Sequence, residues 1–302
     1  MSVASLIRLL SLAAIWGGSF LFMRLSVGAL GPVWLIAIRV LLAAVFLTGV
    51  GVATRQTLQI KGFYKYFLIL GLFNSAVPFL LFAFAAKTLP ASMLSILNAQ
   101  APLFGVILSA VMSRAWPPVK VMAGLALGVA GVSVLVGLDA AHLNAQSLLA
   151  ISAGMLAALC YAIASVYARH APRTPDPLSN AHGGMWASVV LIAPALPFFT
   201  PQADQIAHLT PLMVAAVIAL GVVCSGIAYM IYFRLINDIG AAPALTVTFL
   251  IPVFGTLWGW LFLHEAVGLS TLIGGALVLW GTALVVGFDP RALFSKPQAT
   301  LE

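Results

Sequence analysis

Charge is the scarcest thing in this chain. Lys, Arg, Asp and Glu make up 7% of its 302 residues, against 63% hydrophobic. A soluble domain carries roughly 25% charged residues, and no water-soluble core of this length hides so much apolar surface, so the solvent it is built for is lipid. The acidic residues are Asp139, Asp176, Asp204, Asp238, Glu265, Asp289 and Glu302, all in loops or at segment ends. A mid-membrane carboxylate that binds proton and cation in turn, as a proton-coupled drug antiporter needs, is therefore missing. Coupling is either absent or falls to an unusual group such as His182. The two cysteines, Cys160 and Cys224, both lie in apolar stretches and give neither a disulfide framework nor a metal spacing. A Walker-type phosphate loop, an H-E-x-x-H zinc helix and a G-x-S-x-G elbow are absent too, which excludes direct ATP drive and an intramembrane hydrolase. The net charge of +7 comes from scattered residues, not a basic cluster, so nucleic acid is not a partner. Nothing calls for a cofactor, a metal or an enzymatic activity.

What is present is apolar sequence in lengths that fit a bilayer. Ten segments can be read, at about 6–27, 32–53, 66–87, 91–113, 118–138, 146–168, 177–199, 210–233, 241–263 and 269–288. Each is close to the ~20 residues a helix needs to cross the hydrocarbon. Gly31-Pro32, Pro117-Pro118, Pro172 to Pro177, Thr200-Pro201 and Thr210-Pro211 punctuate them. A membrane barrel would alternate polar and apolar residues, and these runs do not. The fold expected is all-α, with ten transmembrane helices. The run after Arg8 resembles a signal peptide, but it is the first member of a repeat and is expected to stay in the mature protein.

Placing the N-terminus in the cytoplasm puts Arg8, Arg55, Lys61, Lys65, Arg114, Lys120, Arg169, Arg173, Arg234, Arg291 and Lys296 inside, with only Arg24 and Lys87 outside. That bias follows the positive-inside rule. Both termini are expected in the cytoplasm, in a multi-pass protein of the inner membrane.

The chain is also one unit written twice. Pro102-Leu103-Phe104-Gly105 returns as Pro252-Val253-Phe254-Gly255, and the same offset of 150 pairs Gly71 with Gly221, Ser75 with Ser225, Ala91 with Ala241, Gly124 with Gly274 and Gly131 with Gly281. An offset of 145 pairs Trp16 with Tyr161, Arg24 with Arg169 and Pro32 with Pro177. The repeats expected are 1–140 and 141–290, followed by a cytoplasmic tail, 291–302. Each has five spans, so the second enters the membrane from the opposite side. Such inverted repeats are associated with transporters whose site lies between the halves at mid-membrane.

Within this frame, Ser95, Asn98, Pro102, Gly105 and Ser109 share a face of the fourth segment, and Leu245, Thr248, Pro252, Gly255 and Gly259 share one of the ninth. Each proline frees a carbonyl one turn earlier, which makes Pro102 and Pro252 candidate hinges. Asn98, with Gln100 nearby, is a candidate for a polar cavity wall, because a buried amide needs a partner. Ser75, Phe79 and Phe82 match Ser225, Tyr229 and Tyr232. An aromatic lining with few polar groups suits an amphipathic or aromatic small molecule. The substrate-binding set expected is Trp16, Phe79, Asn98, Gln100, Tyr161, Tyr229 and Thr248. Arg39 lies some seven residues into the second segment. It is a functional candidate by position, but its length favours a structural role, snorkelling to the outer interface or bonding helix-end carbonyls. The glycines at 124, 128, 131, 274 and 281 mark close-packing helices, either within one chain or at a dimer face.

In order and duplicated, Trp16-Gly17-Gly18-Ser19-Phe20, Arg24, Gly31-Pro32, Arg39, Ala91, Pro102-Leu103-Phe104, Pro252-Val253-Phe254, Glu265, Gly274 and Gly281 resemble the drug/metabolite transporter superfamily, in its ten-span branch with two EamA-type repeats. Within it the chain is most similar to YddG-type exporters of aromatic amino acids. The resemblance implies export of small metabolites, often amino acids, from a central cavity reached alternately from each side, by a monomer or weak homodimer. Ala115 stands where the second repeat has Glu265, which marks that Glu as a structural cap rather than part of a proton path. Other readings are an exporter of organic cations, an uncoupled channel, and a membrane scaffold that moves nothing.

Overall fold

The computed structural model describes residues 2–137, 144–240, 244 and 246–287. Leu245, Ala241, the acids Asp139, Asp289 and Glu302, the bases Arg291 and Lys296 and the tail 291–302 lie outside the described residues. The protein is an all-α membrane protein of ten helices. In lipid each backbone polar group needs a partner within the protein, and helices satisfy that requirement locally.

The first two spans run as one helix, Val3–Ala53, broken only at Gly31. There φ is 68°, a left-handed conformation that glycine adopts without a Cβ penalty. Pro32 then opens the second arm, where its fixed φ suits a first turn. The arms 3–30 and 32–53 are the first and second spans. The third is Tyr64–Ala85 and the fourth Ala91–Ser113. The fifth is Val119–Gly137, the sixth Ala145–His170 and the seventh Pro177–Phe198. The eighth is Pro211–Ile239, the ninth Val247–Leu263 and the tenth Leu269–Val286. The cap signals work as the sequence suggests: the Asn144, Asp176 and Thr210 side chains accept from backbone N–H groups three residues on.

The glycine stripes serve contacts inside one chain. Spans five and ten pack chiefly on each other. A Cβ at Gly124 would lie 2.6 Å from the Gly281 carbonyl, and one at Gly131 would lie 2.7 Å from the Gly274 carbonyl. Only glycine permits that approach, in which the helices touch backbone to backbone.

The contacts also obey the offsets read from sequence. A Cβ at Gly71 would meet Ala187 and the Gly184 carbonyl, and one at Gly221 would meet Leu42 and the Arg39 carbonyl. Shifting 71 by 150 and 187 and 184 by 145 turns the first contact into the second. Helices three and eight also both widen into a π-type turn near these glycines, at Leu72–Ala76 and Ala219–Ile227. Such turns cluster at functional sites because they disturb the backbone ladder.

Candidate functional site

A cavity of about 670 Å³ lies at the centre of the bundle, lined from both halves of the chain. Trp16, Phe79, Asn98, Tyr161, Tyr229 and Thr248 all line it, as does Pro102. Gln100 does not. It is buried elsewhere, with its amide oxygen facing Gly128 of the fifth span. Pro252 also stays behind the wall, buried in the ninth span. The fourth helix is interrupted between Asn98 and Ala101, immediately before Pro102. Its polar face is thereby divided. Ser95 packs against Gly255 at one end, while Asn98, Gly105 and Ser109 face the cavity at the other.

Each wall residue is held by its own element. Trp16 donates from Nε1 to the Cys224 carbonyl at 3.2 Å, within the wide turn of helix eight. Its ring sits 5.4 Å from Tyr232 and edge-on to Tyr229 at 6.3 Å. Tyr161 stacks on Phe82 at 6.3 Å, and Phe82 meets Phe20 edge-on. Asn74 donates to the Tyr229 hydroxyl at 3.3 Å. Tyr229 and Tyr232 replace Phe79 and Phe82 of the other half, so one side of the aromatic chamber carries hydroxyls and the other does not.

Arg39 does not snorkel. It is 4% exposed and lines the cavity, with Nε donating to Ser225 Oγ at 2.9 Å. Its guanidinium carbon stands 3.6 Å over the centre of the Phe79 ring. The wide turn sets up this partner, because Ser225 Oγ donates back to the Leu220 carbonyl five residues earlier. His182 lies outside the lining. Its Nε2 is 3.1 Å from Thr48 Oγ1, and that hydroxyl donates to the Ala44 carbonyl, so it accepts from His182 and from Trp186. His182 thus joins spans two and seven and stands apart from the cavity. Among the described residues the lining has no Asp, Glu or His.

The two ends of the cavity differ. Toward the end that carries Arg8, Arg234 and Asp238, the lining reaches Ser165, Arg169 and Val286, all exposed. Toward the other end Met23, Phe82, Ala86, Leu89 and Ala91 are buried. That end is fastened by Glu265, which accepts from the Ala91 N–H at 2.9 and 3.0 Å. Arg24 Nε lies 3.4 Å from the same carboxylate, and Arg24 also donates to the Ala86 carbonyl. The clasp ties the first span, the start of the fourth and the loop after the ninth. Arg24 and Arg169 are the same position of the repeat, one clasped and one open, and Ala115 offers Arg169 no carboxylate.

An inverted-topology bundle with a central chamber open at one end defines a membrane transporter rather than an enzyme. The profile of the EamA-like transporter family matches residues 4–137 and again 148–287, so the chain belongs to that family. It is 23% identical over 281 residues to the uncharacterized transporter YoaV of Bacillus subtilis (strain 168), covering 92% of this chain and 95% of that one. It is 25% identical over 283 residues to the protein PecM of Dickeya dadantii (strain 3937), covering 93% and 91%. A solved crystal structure shares the fold with a TM-score of 0.65 at 22% identity, covering 94% of this chain and 96% of its own.

The sequence gave no reason to choose Arg39, Asn74 or Arg169 for the lining. A heptad-like count puts Arg39 on a helix but not on a face toward a cavity. The one available signal was that Arg39 has no counterpart, since position 184 is glycine.

Proposed function

We propose that this chain is a secondary carrier that exports small amphipathic metabolites, aromatic amino acids foremost, across the cytoplasmic membrane by alternating access. One observation carries the reading. A chamber walled by aromatic residues from both halves is sealed at one end and solvent-exposed at the other, with Arg24 and Arg169 in opposite states. Taken with the positive-inside orientation, the open end faces the cytoplasm and both termini are cytoplasmic. The repeats 1–140 and 141–290 rock about the broken fourth helix and Pro102, with Pro252 as the matching pivot. Flat rings between Trp16, Tyr161 and Tyr229 suit an aromatic side chain, and Asn98 and Thr248 supply polar contacts at the two matched positions. The glycine stripes are occupied within one chain, which supports a monomer as the working unit.

The test is counterflow in proteoliposomes over a panel of aromatic and aliphatic amino acids, organic cations, nucleosides and sugars. Saturable exchange of tryptophan or phenylalanine supports the proposal. Flux confined to sugars or nucleotides refutes the substrate, and unsaturable flux refutes alternating access.

A further inference from the structure

The buried cation at the cavity centre has no role in holding the fold that its repeat partner does not fill without it. Arg39 and Gly184 are equivalent positions, and each gives its carbonyl to the same kind of contact, with Gly221 and Gly71 respectively. That helix packing forms around Gly184 with no side chain at all. The guanidinium is thus an addition to one half of a symmetric scaffold, and it projects into the cavity.

There it is uncompensated. Among the described residues Arg39 is in no ion pair, and the lining offers it no carboxylate. Its contacts are the Ser225 hydroxyl through Nε, the Met23 sulfur 4.0 Å from Nη1, and the face of Phe79. Each holds the group in place, and none neutralises it. A charge taken out of water without a counter-ion costs several kcal/mol, and a protein that retains such a cost inside a membrane does so for a reason other than stability. The planar fork is suited to a carboxylate, which it grips through two parallel bonds. Phe79 beneath the guanidinium fixes its plane, and Ser225 fixes its edge.

We propose that Arg39 is the anion-binding group of the transport site, and that the substrate class is an aromatic or amphipathic monocarboxylate, for which an ammonium group is optional. This rests on the carrier reading above and refines it. Arg39 takes the carboxylate, and the chamber of Trp16, Tyr161, Phe82 and Tyr229 takes the apolar body. A zwitterionic amino acid fits, with its ammonium over a ring face. An acid lacking the amine fits as well. An organic cation meets an unpaired buried cation and is excluded.

The experiment is counterflow of labelled phenylalanine by the wild-type protein, competed by 3-phenylpropionate, which keeps only the carboxylate, and by 2-phenylethylamine, which keeps only the ammonium. The acid is expected to compete within about tenfold of phenylalanine and the amine on the order of 100-fold more weakly, as expected when one member of a buried charge pair goes unmatched. In Arg39→Gln the acid is expected to lose on the order of 100-fold and the discrimination to vanish, while Arg39→Lys keeps the sign of the preference with weaker binding. An amine that competes as well as the acid, or an Arg39→Gln protein that still discriminates, overturns the proposal. Should Arg39→Gln fail to fold, Ser225→Ala, which leaves the charge but frees Nε, is read instead, and unchanged competition by the acid counts against the site. Should no aromatic solute move at all, the carrier reading fails alone. Quenching of tryptophan fluorescence by the acid and not by the amine in detergent then still decides the anion site.

Discussion

Removing the carboxylate of Glu265 should release the sealed end of the cavity. Glu265→Gln keeps the shape of the side chain and one acceptor for the Ala91 N–H, but removes the charge that faces Arg24. In the present state Glu265 is 8% exposed at its side chain and accepts from the Ala91 N–H. A hydrogen bond to an ionised acceptor contributes about 1.5–3 kcal/mol, against about 0.5–1.5 for a neutral one. The ion pair to the partly exposed Arg24 adds about 0–1 kcal/mol. The net loss is about 1–3 kcal/mol, on the order of a 10- to 100-fold shift from the state with this end closed toward the state with it open. Thiol labelling reads the shift, in a background with Cys160 and Cys224 replaced by alanine. Ser165→Cys, exposed in the open mouth, should label more slowly once Glu265→Gln is added. Ser92→Cys, 1% exposed beside the clasp, should change from unreactive to reactive. Equal labelling at both positions with and without Glu265→Gln, in folded protein, would falsify the role of the clasp.

Three further outcomes are expected. Gly281→Leu places a side chain where even a Cβ would lie 2.5 Å from the Gly124 carbonyl, and overpacking of this kind costs about 1–3 kcal/mol or more; thermal unfolding in detergent should occur at lower temperature, and an unchanged midpoint would show that spans five and ten are not packed this way. Trp16→Ala removes two ring contacts of about 0.5–1.5 kcal/mol each; the apparent KM for aromatic substrates should rise on the order of tenfold, with little change for aliphatic ones. Among the described residues the lining holds no Asp, Glu or His, so an imposed pH gradient should not drive uphill movement, and accumulation that follows the gradient would contradict an uncoupled carrier.

Much of this architecture could be read in advance because lipid leaves few choices. Apolar runs of bilayer length, split by Gly31-Pro32 and similar breaks, mark the spans without reference to tertiary contacts. The aromatic wall was legible through the repeat offsets, which raised Trp16, Tyr161, Phe79 and Tyr229 above the many other rings of the chain. Gln100 was misplaced for a geometric reason. It lies two residues beyond Asn98, about 200° round a helix of 3.6 residues per turn, so the two amides face opposite sides even before the helix breaks between them. Arg39 was misread because length alone allows a side chain to snorkel. Only the fold shows Ser225 and Phe79 waiting for it. The glycine stripes left open a dimer face or an internal seam, since sequence records close approach but not the partner.

The clasp at one end and its absence at the other have a kinetic consequence. Arg169 faces Ala115 where Arg24 faces Glu265, so the outward-open arrangement lacks the fastening that the present one has. A tilt of this kind between two states cannot by itself pump, because microscopic reversibility ties the forward and backward circuits of an undriven cycle together. It emerges instead as unequal half-saturation on the two sides of the membrane. Solute arriving at the fastened face must wait for the fraction of molecules that has opened there, and its apparent affinity is diluted by that fraction. A carrier built this way loads readily from within and resists refilling from outside when both concentrations are low, while net movement still follows the gradient.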